Sequence, residues 1–166
     1  MLEWRRLTLV ENDEFPAQSG KEIIVYRNAV DPDAADCAEQ FEALFTENGW
    51  HLEWRGRISD TGHFHSRAHE IIAIVKGSTI LALGGGRGKR VVLDVGDAVL
   101  IPPGLLHRQA GAWTGGVEAV GAVPEGVEWD LRREPPPDEP DGRTALVDRP
   151  SCDPILGIRG PFGLRQ

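Results

Sequence analysis

Three of the five histidines lie within seven residues, in a segment that could hold a metal ion. The segment reads GHFHSRAHE and contains His63, His65 and His69, followed directly by Glu70. Because side chains alternate along a strand, His63 and His65 would share one face and their imidazoles could converge on one ion. A carboxylate at Glu70 and a further imidazole at His107 are also available. Such a ligand set suits Fe, Mn, Ni, Cu or Zn.

His69 and Glu70 compete for the fourth ligand position. Glu70 is an odd number of residues from His63 and His65, so one straight strand would place it on the opposite face and His69 in phase. A bend or bulge at Ser66-Arg67-Ala68 would instead bring Glu70 inward. Strand periodicity alone leaves both possibilities open.

The elements that must position these residues are short strands. From Trp50 onward, apolar or alternating runs recur at intervals of about 8–12 residues between Gly and Pro turns, which is typical of an all-β sandwich or barrel. No long helical pattern interrupts them. The predicted strands are His51–Ile58, Ile71–Val75, Thr79–Leu83, Arg90–Val95, Ala98–Ile101, Val117–Val123 and Val127–Leu131. The glycine-rich segment Gly84–Lys89 is predicted to be a hairpin loop, because it lacks a phosphate-loop pattern and no helix follows it.

The first 50 residues combine two strand-like runs, Leu7–Val10 and Glu22–Arg27, with one helix. Asp31 as N-cap, Pro32 at the first helical position and a stop at Asn48-Gly49 predict this helix over about residues 32–48. Cys37 lies on its apolar face. The sequence therefore divides into an N-terminal segment (residues 1–50), a strand-rich segment (51–132) and a C-terminal extension (133–166).

The C-terminal extension begins with the acidic, proline-rich stretch REPPPDEPDGR, which predicts an exposed connector. The apolar side chains beyond it are expected to dock on the domain or on a partner subunit. They are Ile155, Leu156, Ile158, Phe162 and Leu164.

Composition excludes several classes of function. Lys and Arg number 18 against 26 Asp and Glu, which gives a net charge of -8 over 166 residues. We therefore expect no binding to nucleic acid or anionic membranes. No run approaches the roughly 20 apolar residues of a membrane helix, and the N-terminal residues do not resemble a signal peptide. Two cysteines predict reduced thiols and a cytoplasmic location.

The spacing of the candidate ligands resembles that of the cupin superfamily. His63-x-His65, Glu70 and Gly77 are similar to the first cupin motif, and Gly96, Pro102-x-Gly104 and His107 are similar to the second. The segments FPAQSGKEIIVYR, FEALFTENGW, HFHSRAHE and DPILG are similar to small bacterial cupins of the YjlB type. Two positions depart from the motifs: Arg57 stands where a glycine is usual, and Gly111 where asparagine is common.

The resemblance implies a fold and a ligand set. The fold is a single jelly-roll-like antiparallel β-barrel, with one N-terminal helix and a Pro-rich C-terminal extension. One divalent ion, Fe, Mn, Ni or Zn, would be held inside it by His63, His65, Glu70 and His107. This implication favours Glu70 over His69 as the fourth ligand.

Three further residues are candidates for orienting the ligands or lining a pocket: His69, Gln109 and Arg67. The function that we expect is a metal-dependent enzyme on a small molecule, of the dioxygenase or the isomerase/lyase type, with Glu70 as a possible base. The alternative is a non-catalytic module that binds a sugar or another metabolite. The resemblance and the apolar residues at both ends also predict a homodimer.

Overall fold

A computed structural model of the chain describes residues 1–9, 21–85, 88–112, 116–133 and 147–162. Within these ranges it contains one helix, α1 (Cys37–Glu47), and eleven strands. The strands are β1 (Glu3–Thr8), β2 (Glu22–Arg27), β3 (Trp50–Gly56), β4 (His63–Phe64), β5 (Glu70–Lys76), β6 (Ser78–Leu83), β7 (Lys89–Asp94), β8 (Ala98–Ile101), β9 (His107–Ala112), β10 (Glu118–Pro124) and β11 (Arg132–Arg133).

The strands form two antiparallel sheets. The six-stranded sheet has the order β1-β2-β8-β5-β10-β3, and the five-stranded sheet has the order β11-β4-β9-β6-β7. This arrangement confirms the predicted all-β, jelly-roll-like class. No strand pairing joins the two sheets in the described ranges, so the barrel is not closed by hydrogen bonds.

The central strands of the six-stranded sheet are buried on both faces, and β5 shows why its sequence is a continuous apolar run. Ile72 and Ile74 lie in the cluster between the two sheets, together with Leu81 and Leu93 of the five-stranded sheet. Ile71 points the other way, into a second cluster with the helix residues Phe41, Phe45 and Cys37. A strand that is covered on both faces carries no polar alternation.

The helix begins five residues later than predicted. The Asp31 carboxylate accepts a hydrogen bond from the backbone N–H of Asp33, at 3.0 Å, and so closes a local turn instead of capping a helix. Asp36 occupies the N-cap position of α1, but its carboxylate accepts a hydrogen bond from the side-chain amide of Gln40, at 2.7 Å, and caps no backbone N–H. The predicted stop is confirmed, because Gly49 has the positive φ of 79° that commonly ends a helix.

Around the candidate site, one predicted strand is not found and one observed strand is not predicted by the sequence. Val127–Leu131 is not a strand; only the two residues after it pair with β4. Conversely, His107–Ala112 was not predicted, although it forms β9 and pairs with both β4 and β6. The hairpin prediction holds, since the loop after Leu83 joins β6 to β7, which pair from Ser78–Asp94 to Leu83–Lys89.

The docking predicted for the C-terminal extension is found in part. Ile155 and Phe162 are buried in the cluster around α1, and Leu156 packs against it, whereas Ile158 is 79% exposed. The proline-rich connector and Leu164 lie outside the described residues. The division into three segments remains a prediction. In the part of the chain that the structure describes, no helix has the length and apolar character needed to span a membrane.

Candidate metal centre

The four residues that the cupin motifs imply as ligands come together between the two sheets. His63 lies on β4, and His107 stands directly opposite it on β9, with ring centroids 4.2 Å apart. His65 follows β4, and Glu70 is the first residue of β5 in the facing sheet. One potential ligand nitrogen from each histidine lies within 4.8 Å of the others. The metal-ligand roles themselves remain predictions.

Backbone carbonyl groups place a proton on Nδ1 of all three imidazoles. Nδ1 of His63 lies 2.9 Å from the carbonyl oxygen of Thr61, and Nδ1 of His107 lies 2.9 Å from that of Leu105. Nδ1 of His65 lies 2.6 Å from the carbonyl oxygen of Asp130. Because a carbonyl oxygen only accepts, each Nδ1 carries the proton. In the neutral ring, Nε2 is then a lone-pair donor, as metal-binding histidines require.

Glu70 is held among these nitrogens by one indole. Its Oε2 accepts a hydrogen bond from Nε1 of Trp54, at 3.1 Å. Oε2 also lies 3.2 Å from Nε2 of His65, and Oε1 lies 3.3 Å from Nε2 of His107. Glu70 is only 4% exposed. The carboxylate therefore faces two imidazole nitrogens that, in the neutral rings, have no proton to donate to it.

Three buried atoms at this point lack a hydrogen-bond partner: Nε2 of His65, Nε2 of His107 and Oε1 of Glu70. Unpartnered buried polar atoms are rare in folded proteins, because each costs the free energy of its lost hydration. Lone pairs that face one another without a proton between them repel. A cation at their common focus would remove both costs, so the residues present fit a transition-metal ion.

The pKa values of His63 and Glu70 agree with a neutral imidazole beside an ionised carboxylate, whereas that of His65 shifts toward the protonated ring. Burial, together with the neighbouring His107, lowers the pKa of His63 to about 4, which keeps this imidazole neutral. Burial alone would raise the pKa of Glu70, but the adjacent His107 and His65 hold it well below its ordinary value. Burial would lower the pKa of His65, and the Glu70 carboxylate reverses that shift. An ionised carboxylate is thus buried in the cluster.

The loop between β4 and β5 decides the orientation of Glu70 and His69. Residues 66–69 leave the strand conformation, so alternation restarts at Glu70, which turns into the cluster. His69 points to the other side, where its ring lies 4.8 Å from that of Phe162. Burial lowers the pKa of His69 to about 3.

The other two sequence candidates lie outside the histidine cluster. The exposed Arg67 guanidinium is 3.9 Å from the carboxylate of Glu128. Gln109 lines a neighbouring cavity, and its Oε1 accepts a hydrogen bond from the hydroxyl of Thr79 at 3.0 Å. The structure brings neither of them among the ligand atoms.

Sequence reasoning missed the role of Asp130. Besides its carbonyl contact with His65, its carboxylate accepts hydrogen bonds from the backbone N–H of Ser66, at 2.7 Å, and from the hydroxyl of Ser66. Trp129 packs edge-on against the His65 ring at 5.4 Å. The sequence predicts a strand in this segment, and no spacing in the sequence links it to residues more than 60 positions away.

A cavity of about 260 Å³ opens over the cluster. His63, His65 and Glu70 line its floor. Its walls are mostly apolar and are formed by Trp54, Ile58, Ile72, Trp129 and Leu131. Arg57 and Ser59 complete the lining. A largely apolar cavity with a few converging polar groups is the usual form of a small-molecule site.

Comparisons with known proteins agree with the motifs. Residues 54–116 match the family model described as "Cupin domain". The chain is 28% identical over 142 residues to "Uncharacterized protein YjlB" of Bacillus subtilis (strain 168), a match that covers 84% of this chain and 82% of YjlB.

Likenesses to solved structures are more remote. Tomato vicilin is 12% identical with a TM-score of 0.40, over 68% of this chain and 24% of vicilin. A 3,4-ketoisomerase from Helicobacter canadensis is 13% identical with a TM-score of 0.35, over 46% of this chain and 58% of the isomerase. RmlC from Streptococcus suis, in complex with dTDP-D-xylose, is 12% identical with a TM-score of 0.38, over 62% of this chain and 64% of RmlC. The chain thus spans less than two thirds of each of these proteins.

Proposed function

We propose that this cupin-superfamily chain, which resembles YjlB of Bacillus subtilis, binds one divalent transition-metal ion and is an enzyme that acts on a small molecule. One observation supports the proposal above the others. Three imidazoles each bring one potential ligand nitrogen within 4.8 Å of the others, beside the buried carboxylate of Glu70, while backbone carbonyls lie against every Nδ1. The ligands would be His63, His65, Glu70 and His107, and the ion Fe, Mn, Ni or Zn.

Such an ion, when bound, supplies Lewis acidity and, in the case of iron, chemistry with dioxygen. The residues of the chain do the rest. Trp54 holds Oε2 of Glu70 by its indole N–H, which leaves Oε1 as the oxygen that would face the ion and that, when released from it, could receive a proton from a bound molecule. The apolar walls of the cavity limit the water around that atom. A dioxygenase and an isomerase or lyase are the two reaction types that this set of residues can serve.

Elemental analysis tests the proposal, on protein purified without chelator. We expect about one metal ion per chain in the wild type, and loss of that metal in the His63→Ala variant. His51→Ala is the matched control, because His51 has a side chain that is 67% exposed and lies outside the cluster. This variant should keep the metal.

Absence of metal from the wild type, even after incubation with each ion, would refute the proposal and favour a non-catalytic module that binds a metabolite. Retention of metal by His63→Ala would show that the site lies elsewhere. A homodimer and a cytoplasmic location stay predictions beside this one.

A further inference from the structure

Arg57 lies where two cavities meet. It lines the cavity of about 260 Å³ over the histidine cluster and also a second cavity of about 450 Å³. Ile58 and Ser59 are the other two residues that both cavities share. Residues 57–59 therefore form the boundary between the two cavities, and a ligand above the cluster would lie beside Arg57.

The guanidinium of Arg57 has no acidic partner within 4.0 Å among the described residues. Other arginines of this acidic chain do have one: Arg27 lies 2.8 Å from Asp97, and Arg132 lies 2.9 Å from Asp130. Of the described residues that line the cavity over the cluster, Arg57 is the one with a permanent positive charge. An exposed guanidinium with no acidic partner in the described part of the chain can bind a planar anion through two parallel hydrogen bonds.

The same cavity presents apolar surface to solvent. Trp129 is 40% exposed and Leu131 is 51% exposed, and both line it. On the inner side, the Trp54 indole is fixed by its hydrogen bond to Glu70. Covering such surface with an apolar group stabilises a complex, because apolar area is removed from water. The ligand should therefore have an apolar body as well as a charge.

The volume of the cavity and the charges beside it restrict the class of ligand further. A cavity of about 260 Å³ corresponds to the volume of about nine water molecules in the liquid, which fits a one- or two-ring body. A single guanidinium matches one negative charge, and Asp60, which lines the second cavity, disfavours a dianion. These features favour a carboxylate over a phosphate ester.

We propose that the cavity over the histidine cluster binds a small aromatic or branched apolar carboxylate, with the carboxylate against Arg57 and the apolar body between Trp54 and Trp129. The inference deepens the proposed function and rests on it in one respect: the part of the ligand that reacts would be the part that lies at the metal ion. The contact with Arg57 itself needs no metal.

Calorimetric titration of the full-length chain tests this inference, in metal-loaded and in chelator-treated protein. The probes are 2-naphthoate, the neutral 2-naphthamide and 2-naphthyl phosphate. We expect 2-naphthoate to bind about tenfold more tightly than the amide, because only the acid pairs with the guanidinium. Arg57→Gln should remove about tenfold of the affinity for the acid and leave that for the amide unchanged.

Arg90→Gln is the matched control, because Arg90 is an exposed arginine on β7 and lines neither cavity. This variant should bind all three probes as the wild type does. Arg57→Lys should retain part of the preference for the acid, since it keeps the charge but loses the paired geometry.

Three results would overturn the inference: no binding of 2-naphthoate at millimolar concentration, equal affinity for acid and amide, or a preference for the acid that survives Arg57→Gln. Tighter binding of the phosphate ester, if Arg57→Gln abolishes it, would overturn the carboxylate assignment. Metal content separates this inference from the proposed function. Acid preference in a chain that binds no metal would refute the function alone, whereas metal without acid preference would refute the inference alone.

Discussion

Trp54 is the residue whose single hydrogen bond orients the candidate carboxylate ligand. Its Nε1 donates to Oε2 of Glu70 at 3.1 Å, and we expect Trp54→Phe to remove that bond while keeping an aromatic ring in the wall of the cavity. Loss of a hydrogen bond that orients a metal ligand typically weakens metal binding by about 10- to 100-fold. Competition with a chromophoric chelator would measure the change.

Trp129→Phe is the control for this substitution. Trp129 also lines the cavity and touches the His65 ring by its edge, but its indole donates no hydrogen bond to the described residues. We expect this variant to bind metal as the wild type does. Equal metal affinities for wild type and Trp54→Phe would show that Glu70 needs no such support or is not a ligand.

Strand alternation predicts the orientation of some residues of the site and fails for others. His63 and His65 share a face because alternation within one short strand is a local property. Glu70 and His69 could not be told apart by alternation, because the loop at residues 66–69 interrupts the strand. The contact of Asp130 with His65 depends on folding that joins positions 65 residues apart.

At the scale of elements, the pairing of β10 with β3 places Trp54. Gly121 stands opposite Trp54, at a bulge between Gly121 and Ala122. A methyl group on Gly121 would overlap the indole nitrogen of Trp54. We therefore expect Gly121→Ala to displace the indole, to weaken metal binding as Trp54→Phe does, and to lower the free energy of unfolding by about 1–3 kcal/mol. Urea denaturation and chelator competition would measure both effects.

Gly111→Ala on β9 tests whether the effect belongs to this position. A methyl group there would lie 3.6 Å from Cδ1 of Ile80, an ordinary van der Waals distance. The variant should retain both stability and metal. If Gly121→Ala behaves like Gly111→Ala, the close contact with Trp54 does not position the indole.

The sequence predicts a strand well where the strand's own residues favour that conformation, and poorly where pairing with a neighbouring strand determines it. Glu22–Arg27 is recognised as a strand from its apolar run, and the structure confirms the same bounds. His107–Ala112 reads HRQAGA and lacks β-branched residues, so its strand conformation depends on pairing with β6 and β4. The motif therefore predicts His107 as a ligand, although the sequence does not predict β9, the strand that carries it.

In the whole molecule, the two faces of the six-stranded sheet have different roles. One face contributes to the core between the sheets and carries Glu70, while the other packs against α1 and the C-terminal segment. Hydrogen bonds to Asp153 hold the C-terminal segment against this face. Asp153 is fully buried and accepts hydrogen bonds from the hydroxyl of Tyr26, at 2.6 Å, and from the backbone N–H groups of Ile155 and Leu156. Stability and metal binding should therefore be separable.

Tyr26→Phe tests this separation, because it removes one partner of a buried carboxylate on the face away from the site. We expect the free energy of unfolding to fall by about 1.5–3 kcal/mol at neutral pH, with metal content unchanged. Ser78→Ala is the control: its hydroxyl also donates to a carboxylate, that of Asp94 at 2.6 Å, but at an exposed position where the cost should stay within about 0.5 kcal/mol.

The pH dependence of this difference gives an independent check. Burial and the adjacent Asp153 raise the pKa of Tyr26 well above its ordinary value of 10.0. In the unfolded chain the phenol ionises above that pH, whereas the folded chain keeps the proton. The stabilisation is therefore complete below pH 10 and is lost as the pH rises further. In urea titrations, the gap between wild type and Tyr26→Phe should shrink above pH 10, and a constant gap would contradict the buried phenol–carboxylate contact.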